Sequence, residues 1–387
     1  MRYLIDGCYG DGNVGDECLL RAVVRLVRFA DPDAEIAAFS SDAAATTAET
    51  GLPAIEQCNP FGRNIHGAVI KGLLRKAISQ IRQSDVFILG GGELFRDHSG
   101  LKATLGILYR MCLARLLGKR VFAISMGIQA PTTLWGRIVL RNALRVPESL
   151  VCRDPDALAI ARQLAGARIA ASYSPDIVFA LDWKEMRNRR IAQIDSNRPQ
   201  HIGVAVKSLA AWQPSSQSVL RLPRLISEIL GRTDAYRQCR ISVLPFGESD
   251  RGLAGELTDS LRQAGVNVKP AEAPNIEELQ REVSDLDCLI AVPFHASVFA
   301  IACGVPCVGL AYDAKVERLY RSFELQEMCL DVPSWSTEEL ARVLDIAVTQ
   351  RRSLSYRLLE LSDRARTEVE ETIVKLFRGV LNAGMSA

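Results

Sequence analysis

Residues 8–17 read CYGDGNVGDE, and within them Gly10, Gly12 and Gly15 stand at the spacing G-x-G-x-x-G. The motif lies between a predicted strand (Arg2 to Cys8) and a predicted helix (Asp16 to Phe29). A glycine turn between a strand and a helix aims backbone amides at whatever sits before the helix, as in the first βα unit of a doubly wound α/β domain. The fold class follows from this unit, but the ligand does not. A nicotinamide dinucleotide would lay its pyrophosphate on those amides and needs an acid after the second strand, where Asp42 stands. Asp16 and Glu17 argue against it, because in the first helical turn they already complement the helix dipole and would repel a pyrophosphate. No NAD is expected. A tight turn with no ligand is the plainer alternative.

Outward from the motif, short apolar runs alternate with helical periods: Tyr3 to Ile5, Glu35 to Phe39, Val86 to Leu89, Val121 to Ser125, Leu150 to Cys152 and Ile177 to Ala180. A polar, Arg-rich stretch at 183–200 reads as a linker. The rhythm then restarts with Ile202 to Val206, Ile241 to Leu244, Asn267 to Lys269, Cys288 to Val292 and Cys307 to Gly309. The expected organisation is an N-terminal Rossmann-like domain over 1–182, the linker, a C-terminal Rossmann-like domain over 201–335 and a helical segment over 336–387. Two doubly wound α/β domains would leave a cleft between their strand ends, where such sheets bind ligands.

Composition sets the limits. The 387 residues are 48% apolar and 24% charged with a net charge of +2, which suits two globular domains and gives no footprint for nucleic acid. Ten cysteines lie mostly in apolar runs, as buried thiols in a reducing cytoplasm would. No signal peptide precedes the first strand, and no uncharged apolar stretch is long enough to span a bilayer. Cys303-x3-Cys307 lacks a second ligand pair at zinc spacing, so no metal is expected. The charge is unevenly spread: between Gly62 and Arg145 fourteen Lys and Arg face three acids, with Lys71, Arg75 and Lys76, then Arg137, Arg141 and Arg145, on amphipathic helices. This segment is either a solvated helix face or a surface that docks peripherally on anionic lipid at the inner face of the cell membrane.

Two further glycine elements, ILGGGELFRD (88–97) and ISMGIQ (124–129), are expected to end their strands as loops. Glycine there admits a ligand close to the backbone, although strand-to-helix turns alone also favour it. Gly12, Asn13, Asp16, Gly91, Gly92, Glu93 and Gln129 together make a candidate site for hydroxyls, which fits a sugar better than a nucleotide.

The ordered set YGDGNVGDE, GGGELFRD, SMGIQ, VCRDPDAL, SPDIVF and VPFHASVFAIACGVPCVGLAYDAKV (292–316) resembles the polysaccharide pyruvyl transferase family, from Tyr9 to about Val316. The resemblance implies a fold like the two-domain GT-B glycosyltransferases. It also implies a reaction in which phosphoenolpyruvate, a co-substrate rather than a cofactor, gives its three-carbon unit to two hydroxyls of one sugar. The products are a cyclic pyruvate ketal and phosphate, made in exopolysaccharide or cell-envelope synthesis on a polysaccharide or lipid-linked acceptor. The donor carries a carboxylate and a phosphate and needs cations. Arg153, Lys207 and Lys315 stand just after predicted strands and are the donor candidates.

Protonating the donor's methylene and deprotonating a hydroxyl call for a group that titrates near neutrality. His295 is the candidate, placed between the Cys288 to Val292 strand and a predicted helix Ser297 to Cys303, with Asp16 as a candidate base on the acceptor side. His66, His98 and His201 have no such support. The family pattern usually has a basic residue two positions before this histidine, and here that position is Pro293, which supplies neither charge nor amide proton. Two alternatives stand beside this reading: a GT-B glycosyltransferase using a nucleotide sugar, and a catalytically silent sugar-binding homologue. The acceptor sugar and the oligomeric state are left open by the sequence.

Overall fold

The computed structural model describes residues 1–61, 72–98, 100–166, 169–195, 200–208, 224, 226–231, 236, 238–269, 275–332 and 334–385. His66 and Lys71 lie outside the described residues. The chain divides into two units, one made of Met1–Gly12, Asp16–Leu181 and the chain from Ala365 on, the other of Asn13–Gly15 and Asp182–Arg364.

In the first unit the strands are β1 (Arg2–Asp6), β2 (Glu35–Ser40), β3 (Ala54–Glu56), β4 (Val86–Phe95), β5 (Arg120–Ile128), β6 (Ser149–Cys152) and β7 (Ala171–Tyr173). Among the described residues they form one parallel sheet in the order β3-β2-β1-β4-β5-β6-β7. A parallel sheet is covered on both faces, so its central strands are apolar throughout, and all ten residues of β4 are buried. Phe87, Leu89, Met111, Ile128 and Leu140 belong to the core that packs against it.

The second unit repeats the plan with β8 (His201–Val206), β9 (Arg240–Pro245), β10 (Val268–Lys269), β11 (Cys288–Ala291), β12 (Cys307–Ala311) and β13 (Cys329–Asp331). Their order among the described residues is β10-β9-β8-β11-β12-β13, again parallel. Each sheet reverses its strand order once, between β1 and β4 and between β8 and β11. The carboxyl ends of strands at such a switch point are where doubly wound sheets bind ligands.

The structure departs from the sequence reading at several places. Ile177–Ala180 is a 3-10 helix rather than a strand: Pro175 precedes it, and the Asp176 carboxylate accepts the Val178 N–H at 3.0 Å, closing a tight turn. All four residues are buried, so apolar content alone could not tell strand from turn. The strands β4 and β5 continue through GGGE and SMG, which are therefore strand and not loop. Positive φ at Gly91 (76°) and Gly92 (97°), with a register shift between Gly92 and Phe95, lets β4 go on past an irregularity that side chains would obstruct.

The stretch expected as a linker holds the helix Lys184–Ile194, grouped with the second unit. Two of its three arginines are bonded internally: fully buried Arg190 donates to the Leu286 carbonyl at 2.6 Å and to Ser355 at 2.8 Å, and Arg187 to the Ala302 carbonyl at 3.0 Å, while Arg189 is exposed. The helix after β11 is Phe294–Cys303, which takes in His295 instead of following it. The segment at 336–387 is two helices, Thr337–Thr349 and Arg351–Met385, and the second passes at Ala365 from one unit to the other. There the Phe377 ring meets Tyr3 edge-on at 6.2 Å.

Candidate active site

The opening glycine motif leaves β1 and enters a helix, Val14–Ala30, that starts two residues before the expected Asp16. Tyr9 is buried and its hydroxyl donates to the Gly90 carbonyl of β4, while its own carbonyl accepts from Ser41 N–H at 2.9 Å. This ties the turn across the switch point of the first sheet. The Gly10 N–H donates to Glu17 Oε1 at 2.7 Å. A loop amide that a pyrophosphate would use is therefore engaged by a carboxylate of the same turn. Asp42, the acid a ribose would need, caps the helix Ala43–Thr50 by accepting the Ala45 N–H at 2.9 Å.

Glu17 was not singled out by sequence as a site residue. Its side chain is buried, and Oε2 has no hydrogen-bond partner among the described residues. Burial pushes its pKa up to about 7; the Gly10 N–H opposes this, and the negative charges of Glu49, Asp16 and Asp11 add to it. Asp16, one residue earlier, is half-buried. A Cβ added at Gly92 would sit 3.9 Å from Asp16 Oδ1, so the structure does bring Asp16 to the Gly91–Gly92 stretch. Glu93 follows in the same strand and is buried. Gln129 is one strand further along, its N–H donating to the Phe95 carbonyl at 3.1 Å.

Arg153 follows β6 and is buried. Its guanidinium lies against the backbone of Gly127, where an added Cβ would meet Nη2 at 2.9 Å, and pairs with Asp176 at 3.5 Å. Burial raises the Asp176 pKa in spite of the arginine. Part of the charge expected to serve a donor is thus shared with a buried carboxylate.

In the second unit the segment Asn13–Gly15 pairs with the loop after β9: Asn13 bridges Gly247, and Val14 N–H donates to the Phe246 carbonyl at 3.0 Å. Asn13 Oδ1 accepts the Gly15 N–H at 3.1 Å, so this side chain shapes the turn as well as being an acceptor candidate. Gly15 explains the last glycine of the motif. A Cβ there would come within 1.9 Å of His295 Nδ1, a distance no side chain tolerates. The glycine gives room to a histidine.

The helix bearing His295 is apolar on every side and buried at every position except His295, which is half-buried. Pro293 begins this helix at φ −65° and offers no side-chain cap. Lys207 follows β8 directly across the switch point from β11 and is half-buried. It lowers the pKa of Asp250, although burial is the larger effect and leaves that carboxyl raised. Lys315, buried in the first turn of the helix Ala314–Ser322 after β12, holds its ammonium 5.3 Å from the centre of the Tyr312 ring.

The structure therefore gathers Asp16, Gly91, Gly92 and Glu93 at one switch point. It places His295 and Lys207 at the other, and sets Gln129, Arg153 and Lys315 on neighbouring strand ends. His201, which the sequence does not support as a functional group, is buried and bonds Ser242 at 2.8 Å. Cys303 and Cys307 are free buried thiols, each with its pKa pushed up to about 12 by burial. Among the described residues no group of three or more His, Cys, Asp or Glu could hold a metal ion, and no helix is long and apolar enough to cross a membrane.

A protein-family model described as polysaccharide pyruvyl transferase matches residues 13–314, most of the chain. The sequence matches no curated protein. Among solved structures, HepE of Anabaena in complex with UDP-glucose is similar at a TM-score of 0.62 and 13% identity, over 98% of this chain and 99% of that one. MnaA of S. aureus, solved with UDP, gives 0.61 at 9% identity over 99% and 97%. Sucrose-phosphate synthase of Thermosynechococcus elongatus gives 0.61 at 12% identity over 99% and 100%. Identities this low speak for fold alone, and the fold is that of two Rossmann-like domains, as in GT-B glycosyltransferases.

Proposed function

Since the chain belongs to the polysaccharide pyruvyl transferase family, we propose that it transfers the pyruvyl group of phosphoenolpyruvate to two hydroxyls of one sugar. A proton adds to the methylene carbon of the donor, C2 becomes electrophilic, and one hydroxyl adds to it. The second hydroxyl then displaces phosphate and closes the cyclic ketal. No redox cofactor enters, because the reaction is an addition followed by a displacement.

The observation that carries this reading is His295. It is the one half-buried residue of an otherwise buried apolar helix, at the end of β11, with Gly15 clearing space at its Nδ1 face. A side chain titrating near neutrality is what the proton transfers require. Lys207 and Lys315, both in the unit that holds His295, supply cations for the donor's phosphate and carboxylate in place of the one that Pro293 lacks. Arg153 contributes less than a free arginine would, since Asp176 shares its charge. In this reading Gly12, Gly91, Gly92, Glu93 and Gln129 of the first unit serve the acceptor, Asn13 is a further acceptor candidate, and Asp16 is the base for a sugar hydroxyl.

The acceptor in this reading is a unit of a polysaccharide or a lipid-linked oligosaccharide of the cell envelope, met in the cytoplasm at the inner face of the membrane. A second reading takes its support from the structural neighbours. HepE and MnaA were solved with UDP-glucose and UDP, and a nucleotide-sugar glycosyltransferase would use the same fold. Pro293 also suits a silent sugar-binding homologue.

Ligand-dependent thermal stabilisation separates the three. Phosphoenolpyruvate at about 100 times its dissociation constant should add about 2.7 kcal/mol to the stability of the protein. A shift with UDP-sugars and none with phosphoenolpyruvate would replace this reading by the second. A shift with sugar alone would leave the silent homologue.

A further inference from the structure

The helix Leu134–Ala143 of the first unit carries an apolar tip that the protein leaves in water. Leu134 is 79% exposed, Trp135 72% and Ile138 50%, while Gly136, Leu140 and Ala143 are buried. Ile138 stands one turn from both Leu134 (i, i+4) and Trp135 (i, i+3), which groups the three on the helix surface. Arg137 and Arg141 of the same helix are exposed, and residues 129–147 contain no acid.

The tip is held in place from below. The Asp97 carboxylate accepts from Thr132 N–H at 2.9 Å, Thr132 Oγ1 at 3.0 Å, Thr133 N–H at 2.9 Å and Thr133 Oγ1 at 2.9 Å. Thr133 in turn caps the helix through the Gly136 N–H at 2.9 Å. Asp97 also reaches so close to Gly136 that a Cβ there would meet Oδ2 at 1.9 Å. Four donors on one buried carboxylate thus fix the turn that presents Leu134 and Trp135 outward.

We propose that this tip inserts into the surface of an anionic lipid bilayer and anchors the first unit there. Exposed apolar residues scattered singly are ordinary, whereas a Leu-Trp-Ile cluster on a helix whose exposed charges are Arg137 and Arg141, with the one nearby carboxylate, Asp97, buried and bonded beneath it, has the chemistry of an interfacial helix. Tryptophan settles at headgroup level, aliphatic side chains go just below it, and arginines reach up to lipid phosphates. A sugar chain would also stack on tryptophan, but it needs accessible carboxylates or amides for its hydroxyls, and the carboxylate of Asp97 is buried and already bonded to Thr132 and Thr133. The tip follows β5 by a short turn, so docking carries the end of that strand, with Gln129, to the membrane. That purpose rests on the proposed lipid-linked acceptor; the docking itself does not.

The test is co-sedimentation of the full chain with phosphatidylcholine vesicles, with and without phosphatidylglycerol, at low and high salt. Binding should require phosphatidylglycerol and weaken with salt. Arg137→Gln with Arg141→Gln should weaken it roughly ten- to thirty-fold, from the loss of two charges near the surface. Leu134→Ser, Trp135→Ser and Ile138→Ser together should weaken it at least as much with the thermal midpoint unchanged. On the unaltered protein, brominated lipid should quench tryptophan emission, and Trp135→Phe should remove that quenching.

Equal retention on neutral and anionic vesicles overturns the proposal, as does quenching that survives Trp135→Phe. So does a tip variant that binds vesicles normally while losing self-association or affinity for a soluble polysaccharide, because the surface then serves another partner. None of these failures touches donor binding, which is measured without lipid.

Discussion

Replacing Glu17 by Gln removes a charge that the fold buries. The folded-state pKa is raised from 4.5 to about 7, so between those values the folded protein binds more protons at this site than the unfolded chain does. Stability therefore falls as pH rises through that window, and the loss levels off above the folded pKa. A shift of this size corresponds to a cost on the order of 3 kcal/mol once the carboxylate is ionised. Gln keeps an oxygen to accept the Gly10 N–H, but it puts an amide where Oε2 has no partner, a pH-independent penalty of about 1–3 kcal/mol. The clean readout is thus the change with pH. Urea unfolding of both proteins near pH 5 and near pH 8 should show the stability of Glu17→Gln relative to the parent rising by up to about 3 kcal/mol across that interval. Parallel stability curves would refute the argument, since they would mean that Glu17 is already solvated or neutralised in the folded state.

Gly15→Ala should leave the sheet intact but push His295 aside, lowering kcat by about 100-fold with a smaller change in donor affinity, as steady-state kinetics would show. Asp176→Asn leaves the Arg153 guanidinium buried without its counter-charge and should cost about 3–5 kcal/mol of stability in urea unfolding; Arg153→Ala should lose stability as well as donor affinity. Pro293→Arg should tighten donor binding in calorimetry if a missing cation limits it, and should leave binding unchanged or weaker if Lys207 and Lys315 already fill that role.

The alternation of apolar runs made the two doubly wound domains legible, because parallel strands covered on both faces leave a plain mark in sequence. The strand ends were harder to read. Gly90, Gly91 and Gly92 look like a turn, yet β4 runs through them, since only the long-range pairing with β5 decides where a strand stops. Lys184–Ile194 reads as a linker because it is polar and Arg-rich, whereas the carbonyls that accept from Arg187 and Arg190 lie more than ninety residues away in sequence. Asp16 was found by its place in the motif. Glu17 was passed over because its burial and its bond to Gly10 depend on how the turn folds back. His295 is legible by resemblance and position, but Gly15 is explained only by where the fold puts the histidine ring.

The central claim is that His295 handles the proton in a transfer from phosphoenolpyruvate. Phosphate release is to be measured with phosphoenolpyruvate and an envelope oligosaccharide acceptor, alongside ketal formation by NMR. The account predicts one phosphate per ketal and a loss of roughly two to four orders of magnitude in both for His295→Ala, with unfolding little changed. Full activity in His295→Ala, or phosphate released without a ketal, would contradict it.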